Sequence, residues 1–137
     1  MVDWRRTQVW PFSDAESMPK RSEFVEHVVE TMRRFGPVEA KSMFGGWGLY
    51  HQGLFFALIA EDALYIKTDD ENRADFEALG LEPFVYAMKD GQSIVMSYRS
   101  APEEALENID VMAEWARRGF AAALRAAAKK KRRLRKA

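Results

Sequence analysis

Between Val38 and Thr68 the chain alternates short apolar runs with turn signals, and this spacing constrains the fold more than any other feature. The runs cover 38–44, 47–51, 54–60 and 63–68, separated by Gly45-Gly46, Gln52-Gly53 and Glu61-Asp62. Connections this short join antiparallel neighbours, because a parallel crossover needs a dozen residues or more. The third run, Leu54-Phe55-Phe56-Ala57-Leu58-Ile59, is apolar throughout, which suits a central strand covered on both faces. Periodicity alone also fits a buried helix, but its length and flanking turns favour strand.

Helical patterns surround these strands. Phe24, Val25, Val28, Val29, Met32 and Phe35 recur at spacings of three and four, predicting a helix from about Glu23 to Phe35. Ser22 is its N-cap, Glu23 and Glu26 favour its first turn, and Gly36-Pro37 ends it. Thr68-Asp69-Asp70-Glu71 has the form of a capping box and predicts a short helix from about Asp70 to Leu79. Strands at 84–88 and 93–99 then flank the tight-turn pair Asp90-Gly91. Ser100-Ala101-Pro102-Glu103 predicts a second capping box and a helix to about Asn108. From Asp110 a last helix runs into a basic end, with Ile109, Met112, Ala113, Ala116, Phe120, Leu124 and Ala127 as its buried stripe. The order α-β(3–4)-α-β(2)-α predicts an α+β fold, an antiparallel sheet of five or six strands with helices mainly on one face.

Charge divides the chain. The formal net charge is zero, yet residues 1–124 carry −8 and residues 125–137 carry +8. The expected organisation is an N-terminal arm at 1–21, one domain at 22–126 and a basic tail at 127–137 that continues the last helix. The arm lacks periodicity, holds Pro11 and Pro19, and carries Trp4, Trp10 and Phe12 as candidate packing groups. Arg5-Arg6 is followed by too short an apolar stretch for a twin-arginine signal, and no apolar run approaches the roughly 18 residues of a membrane span. The expected location is the cytoplasm. With no cysteine, disulfides, thiol catalysis and cysteine metal sites are excluded.

The stretch Met43-Phe44-Gly45-Gly46-Trp47-Gly48-Leu49-Tyr50 carries a further signal. It continues through Gly53, Phe56, Ala57, Leu64-Tyr65-Ile66-Lys67, Pro83-Phe84-Val85-Tyr86, Ser97-Tyr98, Pro102-Glu103 and Trp115-Ala116. Together these resemble the N-terminal domain of the TfoX/Sxy family over roughly residues 22–126. The resemblance implies a sheet with helices packed on it, similar to secretion chaperones. It also implies a regulator of natural competence acting with the transcription machinery, and it brings no catalytic residues. Met43, Phe44, Gly45, Gly46, Gly48, Tyr50 and Gly53 are then expected to serve as a structural turn and hairpin. Longer members carry a second, helical domain where this chain has a basic tail.

The chemistry of individual motifs points the same way. Gly45-Gly46-Trp47-Gly48 has no following lysine or helix, so it reads as a hairpin rather than a phosphate cradle. His27 shares a helix face with Glu23 and Glu30, which suits a surface ion pair or a weak metal site; a zinc site needs three or four converging ligands and His51 is the only other histidine, so no metal site is expected. His51, at a hairpin turn, has no identifiable base partner. No Gly-x-Ser-x-Gly is present, and carboxylate pairs such as Asp69-Asp70 and Glu103-Glu104 sit at helix starts. No enzyme activity and no cofactor is expected.

The expected role is a regulatory or adaptor domain acting through an as yet unidentified protein partner. The fold's resemblance to dimeric chaperones, with seven methionines and the arm's aromatics, also points to a homodimer. The alternative is a nucleic-acid accessory protein. Lys129, Lys130, Lys131, Arg132, Arg133, Arg135 and Lys136 can neutralise phosphates without reading sequence.

Overall fold

A computed structural model describes residues 22–43 and 45–136. The N-terminal arm with Trp4, Trp10 and Phe12, the motif residue Phe44, and Ala137 lie outside the described residues. Helix α1 (Glu23–Thr31) starts where Ser22 Oγ accepts the Val25 N–H, and it tightens into a 3-10 turn at Met32–Arg34. Strands β1 (Glu39–Met43), β2 (Gly46–His51), β3 (Leu54–Ala60) and β4 (Ala63–Lys67) follow as antiparallel neighbours. Helix α2 (Arg73–Glu77), strands β5 (Pro83–Ala87) and β6 (Ser93–Ser100), and helix α3 (Ile109–Lys136) complete the chain. The six-stranded sheet has the order β1-β2-β3-β4-β6-β5. It is an α+β fold with the predicted element order.

The turns explain the register. Gln52 and Gly53 both take positive φ, at 52° and 79°, and so do Glu61 and Asp62, at 53° and 59°. Paired left-handed residues make the two-residue hairpin turns whose twist matches that of the flanking strands. Between β2 and β3 the register shifts, so that Tyr50 lies opposite Phe55 while Leu49 lies opposite Ala57. This bulge sends Phe56 and Ala57 to the helical face and Phe55 to the other.

The core lies between one sheet face and the helices. Val25, Val28 and Met32 meet Phe56, Ile59, Leu64 and Ile66 of the sheet, with Met112, Trp115, Ala116 and Ala123 of α3. A Cβ at Gly119 would lie 2.6 Å from Ile66 Cγ2 and 3.0 Å from the Phe56 carbonyl oxygen. Helix α3 therefore approaches the sheet through a side with no side chain at that point. This also corrects its expected stripe. Trp115, Gly119, Ala122 and Ala123 are buried, whereas Leu124 is 49% exposed.

Three local expectations change. The capping box before α2 sits one residue later than predicted. Asp69 Oδ1 accepts the Asn72 N–H at 3.1 Å, and Asn72 Oδ1 accepts the Asp69 N–H at 2.9 Å. Asn72 takes the role from Glu71 because its amide also donates to the Lys67 and Arg118 carbonyls, at 3.2 and 3.1 Å. The helix expected at 70–79 shortens accordingly to Arg73–Glu77. The capping box at Ser100-Ala101-Pro102-Glu103 does not form: Pro102 starts only a 3-10 turn, Glu103–Leu106, without a side-chain cap. The cap of α3 is instead Asn108, whose Oδ1 accepts the N–H groups of Asp110 and Val111. Finally, in β6 Ile94, Met96 and Tyr98 alternate with Val95, Ser97 and Arg99, a pattern that predicts a half-buried strand. Ser93 to Ser97 are exposed, because β4 ends at Lys67 and pairs only with Tyr98, Arg99 and Ser100.

Candidate protein-docking face

The sheet face away from the helices gathers aromatic and methionine side chains from nearly every strand. Cross-strand partners share a face, so Lys41 lies with Gly48, Leu58 with Tyr65, Lys67 with Tyr98, and Tyr86 with Ile94. The rings then meet across strands. Tyr50 stacks on Phe55 at 5.3 Å, Phe55 lies 5.5 Å from Tyr98, and Tyr65 lies 4.8 Å from Phe84. Between them runs a groove of about 240 Å³, lined mainly by Met43, Phe55, Leu58, Phe84, Tyr86 and Met96. Residues of β3 and of β5–β6 share this groove across β4, so the outer face is concave.

Glycines give the groove its shape. A Cβ on Gly48 would come within 2.5 Å of Met43 Sδ and 3.1 Å of the Phe55 ring, so this residue leaves the space into which both converge. A Cβ on Gly46 would overlap the Ile59 carbonyl oxygen, a backbone atom that cannot swing aside. Gly45 takes φ 83°, which suits the turn between β1 and β2. The motif residues Met43, Gly46, Gly48 and Tyr50 thus lie on β1 and β2, and Gly53 lies in the next turn.

Charge enters only at the margin. Lys41 Nζ sits 4.7 Å from the Tyr50 ring centre and Lys67 Nζ 5.2 Å from that of Tyr98, both within cation–π range. Burial lowers the Lys67 pKa from its ordinary value, against the opposing pull of Asp69. Burial raises the Tyr98 hydroxyl far above the usual tyrosine range, with Tyr50 adding to the shift. Tyr65 is raised by burial and then by Glu61. Both tyrosines therefore stay protonated at neutral pH.

The two histidines serve the framework. His27 Nε2 lies 2.7 Å from the Leu106 carbonyl, and His51 Nδ1 lies 2.7 Å from that of Pro37. A carbonyl only accepts, so each of these nitrogens is the donor. His51 also packs on Phe35 and Phe120, at 4.6 and 4.8 Å between ring centres. Glu30, expected beside His27, pairs with Arg33 at 2.9 Å. Among the described residues no three acidic or imidazole groups converge as metal ligands.

A profile of the TfoX N-terminal domain matches residues 30–123, more than half of the chain. The chain belongs to the TfoX N-terminal domain family. It is also 34% identical over 68 residues to the DNA transformation protein TfoX1 of Aliivibrio fischeri. That match covers 50% of this chain and 32% of the relative, so the chain spans about a third of it. The family is linked to competence regulation and is not known as an enzyme family.

The basic segment has its own geometry. Helix α3 continues unbroken through Lys136, and Lys129 to Lys136 are exposed. Lys129, Arg132, Arg133 and Lys136 line one shallow strip of the helix surface. At the base of this extension Arg125 grips Asp69 with two hydrogen bonds, of 2.6 and 3.0 Å. The grip holds the Asp69 carboxyl below its usual pKa and raises that of Arg125. Among the described residues, no helix is long and apolar enough to cross a membrane.

Proposed function

We propose that this chain is a non-enzymatic cytoplasmic regulatory domain that works as an adaptor, holding a protein partner on the outer face of its sheet. The supporting observation is the groove between Met43, Phe55, Leu58, Phe84, Tyr86 and Met96, apolar and, among the described residues, free of helical cover. Such a groove takes the apolar face of a helix or an extended segment. The family's link to competence regulation is consistent with this role, and Gly48 supports it by leaving room where Met43 and Phe55 converge. A photo-crosslinking residue placed at Met43 or Met96 tests it in the native cell. A discrete adduct with another protein is expected there and not from Glu114, which is exposed on α3. Equal adducts from all three positions, or adducts only with a second copy, would sink the adaptor reading.

A second reading rests on the helical extension. Seven cations between Lys129 and Lys136 form a rod that can lie along a duplex backbone, with no aromatic residue to read bases. Removing residues 127–137 is expected to abolish binding to arbitrary duplex DNA at low salt. The full chain should lose that binding steeply as salt rises. Equal binding by both proteins, or by neither, excludes this reading.

A further inference from the structure

Strands β1 and β5 are the two edges of the sheet, and they are guarded differently. Strand β1 carries Glu39 and Lys41, charges of the kind that discourage edge pairing. Strand β5 reads Pro83-Phe84-Val85-Tyr86-Ala87 and has no charge. Its neighbour β6 overhangs, because β4 stops at Lys67 and leaves Ser93 to Met96 held on one side only. The two strands form a ribbon that is apolar on both faces. Tyr86 and Ile94 share the outer face, while Val85 and Val95, 49% and 67% exposed, share the other. A lone two-stranded ribbon is marginal in water. With Met88 and Met96 the exposed apolar patch is on the order of 500 Å², near the upper end for a monomer.

The backbone shows what the edge offers. Met88 N–H donates to the Gln92 carbonyl, so residues 86 and 88 turn their polar groups toward β6. Val85 and Ala87 then direct theirs to the free side. We propose that a second copy of this chain pairs along this edge, β5 against β5, antiparallel about a two-fold axis at Tyr86. In that register Val85 of one copy and Ala87 of the other exchange both backbone bonds, and the axis repeats them, giving four. Phe84 comes to lie across from Met88, a favourable sulfur–aromatic pairing, and Tyr86 across from Tyr86. An axis at Val85 would set Ala87 against Pro83, which has no N–H to give.

A second copy fits better than a foreign strand. The edge carries no charge that would steer a particular partner, and an antiparallel strand is in register with itself by symmetry. Two such patches set a ceiling of about 1,000 Å² on the buried area, below a standard interface, which points to a weak dimer in the micromolar range. Pairing along the β5 edge does not require a protein partner in the groove.

Sedimentation velocity on the full chain from about 1 to 200 µM tests it, a range chosen to bracket micromolar association. The parent is expected to pass from monomer to dimer across that range. Ala87→Pro removes an outward N–H that β6 does not use, and Val85→Lys adds a charge beside the axis, opposite Ala87 of the other copy. Each should weaken the dimer at least tenfold while leaving circular dichroism and thermal unfolding unchanged at about 1 µM, where the parent is monomeric. If the proline variant fails to fold, the lysine variant decides. Met43→Gln, in the groove, should dimerise like the parent. A parent that stays monomeric at 200 µM, as a foreign strand or the chain's own arm on this edge would leave it, overturns the proposal. So do folded edge variants that dimerise normally, or a dimer lost equally in Met43→Gln.

Discussion

Asn72 is 5% exposed and ties three elements together through one carboxamide. Its oxygen accepts the Asp69 N–H, and its nitrogen donates to the carbonyls of Lys67 at the end of β4 and Arg118 in α3. The amide orientation follows from this pattern, since one contact is a donor and two are acceptors. Asn72→Ala removes all three bonds. The Arg118 carbonyl lies inside α3 and keeps a helical donor, so its loss is small. The Asp69 N–H and the Lys67 carbonyl lose a partner, and an unsatisfied buried group costs about 1–3 kcal/mol. Partial entry of water lowers the sum, so the expected loss is about 2–4 kcal/mol.

Asn72→Asp sharpens the test. The carboxylate keeps the acceptor for Asp69 N–H but turns an oxygen toward two carbonyls. Its folded pKa should rise, because the protonated form can restore one donor. A raised carboxyl pKa destabilises most above the folded value, and the deficit relative to Asn72→Ala shrinks as pH falls through it. Urea unfolding followed by circular dichroism, with slope m compared among the three proteins, measures both effects. If Asn72→Ala unfolds within about 0.5 kcal/mol of the parent, as an ordinary surface change does, Asn72 does not join these elements.

Two further outcomes follow from geometry. Gly46→Ala should lower stability by about 2 kcal/mol, because overpacking against a backbone carbonyl costs about 1–3 kcal/mol, and thermal unfolding reads the loss. An unchanged melting temperature would mean that β2 shifts freely at Gly46. Asp69 is held below the ordinary carboxylate pKa, first by the Arg125 hydrogen bond and then by the Asn72 and Glu71 N–H groups, against its burial. A depressed folded pKa gives stability that is full above the ordinary value, near 4, and lost as pH falls through the depressed one. Asp69→Asn should therefore flatten the pH dependence of urea unfolding below about pH 4; an unaltered acid slope would exclude the Arg125 grip as its source.

Element type was legible because each strand pair is closed by residues that permit only a tight turn. Gln52-Gly53 and Glu61-Asp62 fix antiparallel neighbours before any long-range contact is known. The place of β6 between β4 and β5 was not legible, since it depends on pairing across the intervening helix. The cap at Asn72 was missed for a similar reason. Thr68 and Glu71 satisfy the local pattern, but the residue that also reaches Arg118, 46 positions away, takes the role. The motif glycines were visible as a cluster. That they open a groove on the outer face depends on Phe55, which the β3 bulge turns to that side. The exposure of Val85 and Val95 could have been suspected from the length difference between β4 and β6, but only once their pairing was known.

The neutral net charge conceals a mechanical arrangement. A helix propagates more easily than it nucleates, so the packed half of α3 can carry its unpacked half as an extension. The extension adds seven cations to one stretch, and like charges three and four residues apart oppose helix formation. Their position at the helix C-terminus offsets part of that repulsion. Among the described residues, Arg125 is the one cation of residues 125–136 in an ion pair, with Asp69 and Glu71. Lys129 lines one surface hollow with Asp69, Asp70 and Arg125, and the cations from Lys130 to Lys136 are exposed along the helix. The Arg125–Asp69 grip fixes the point from which this exposed stretch departs.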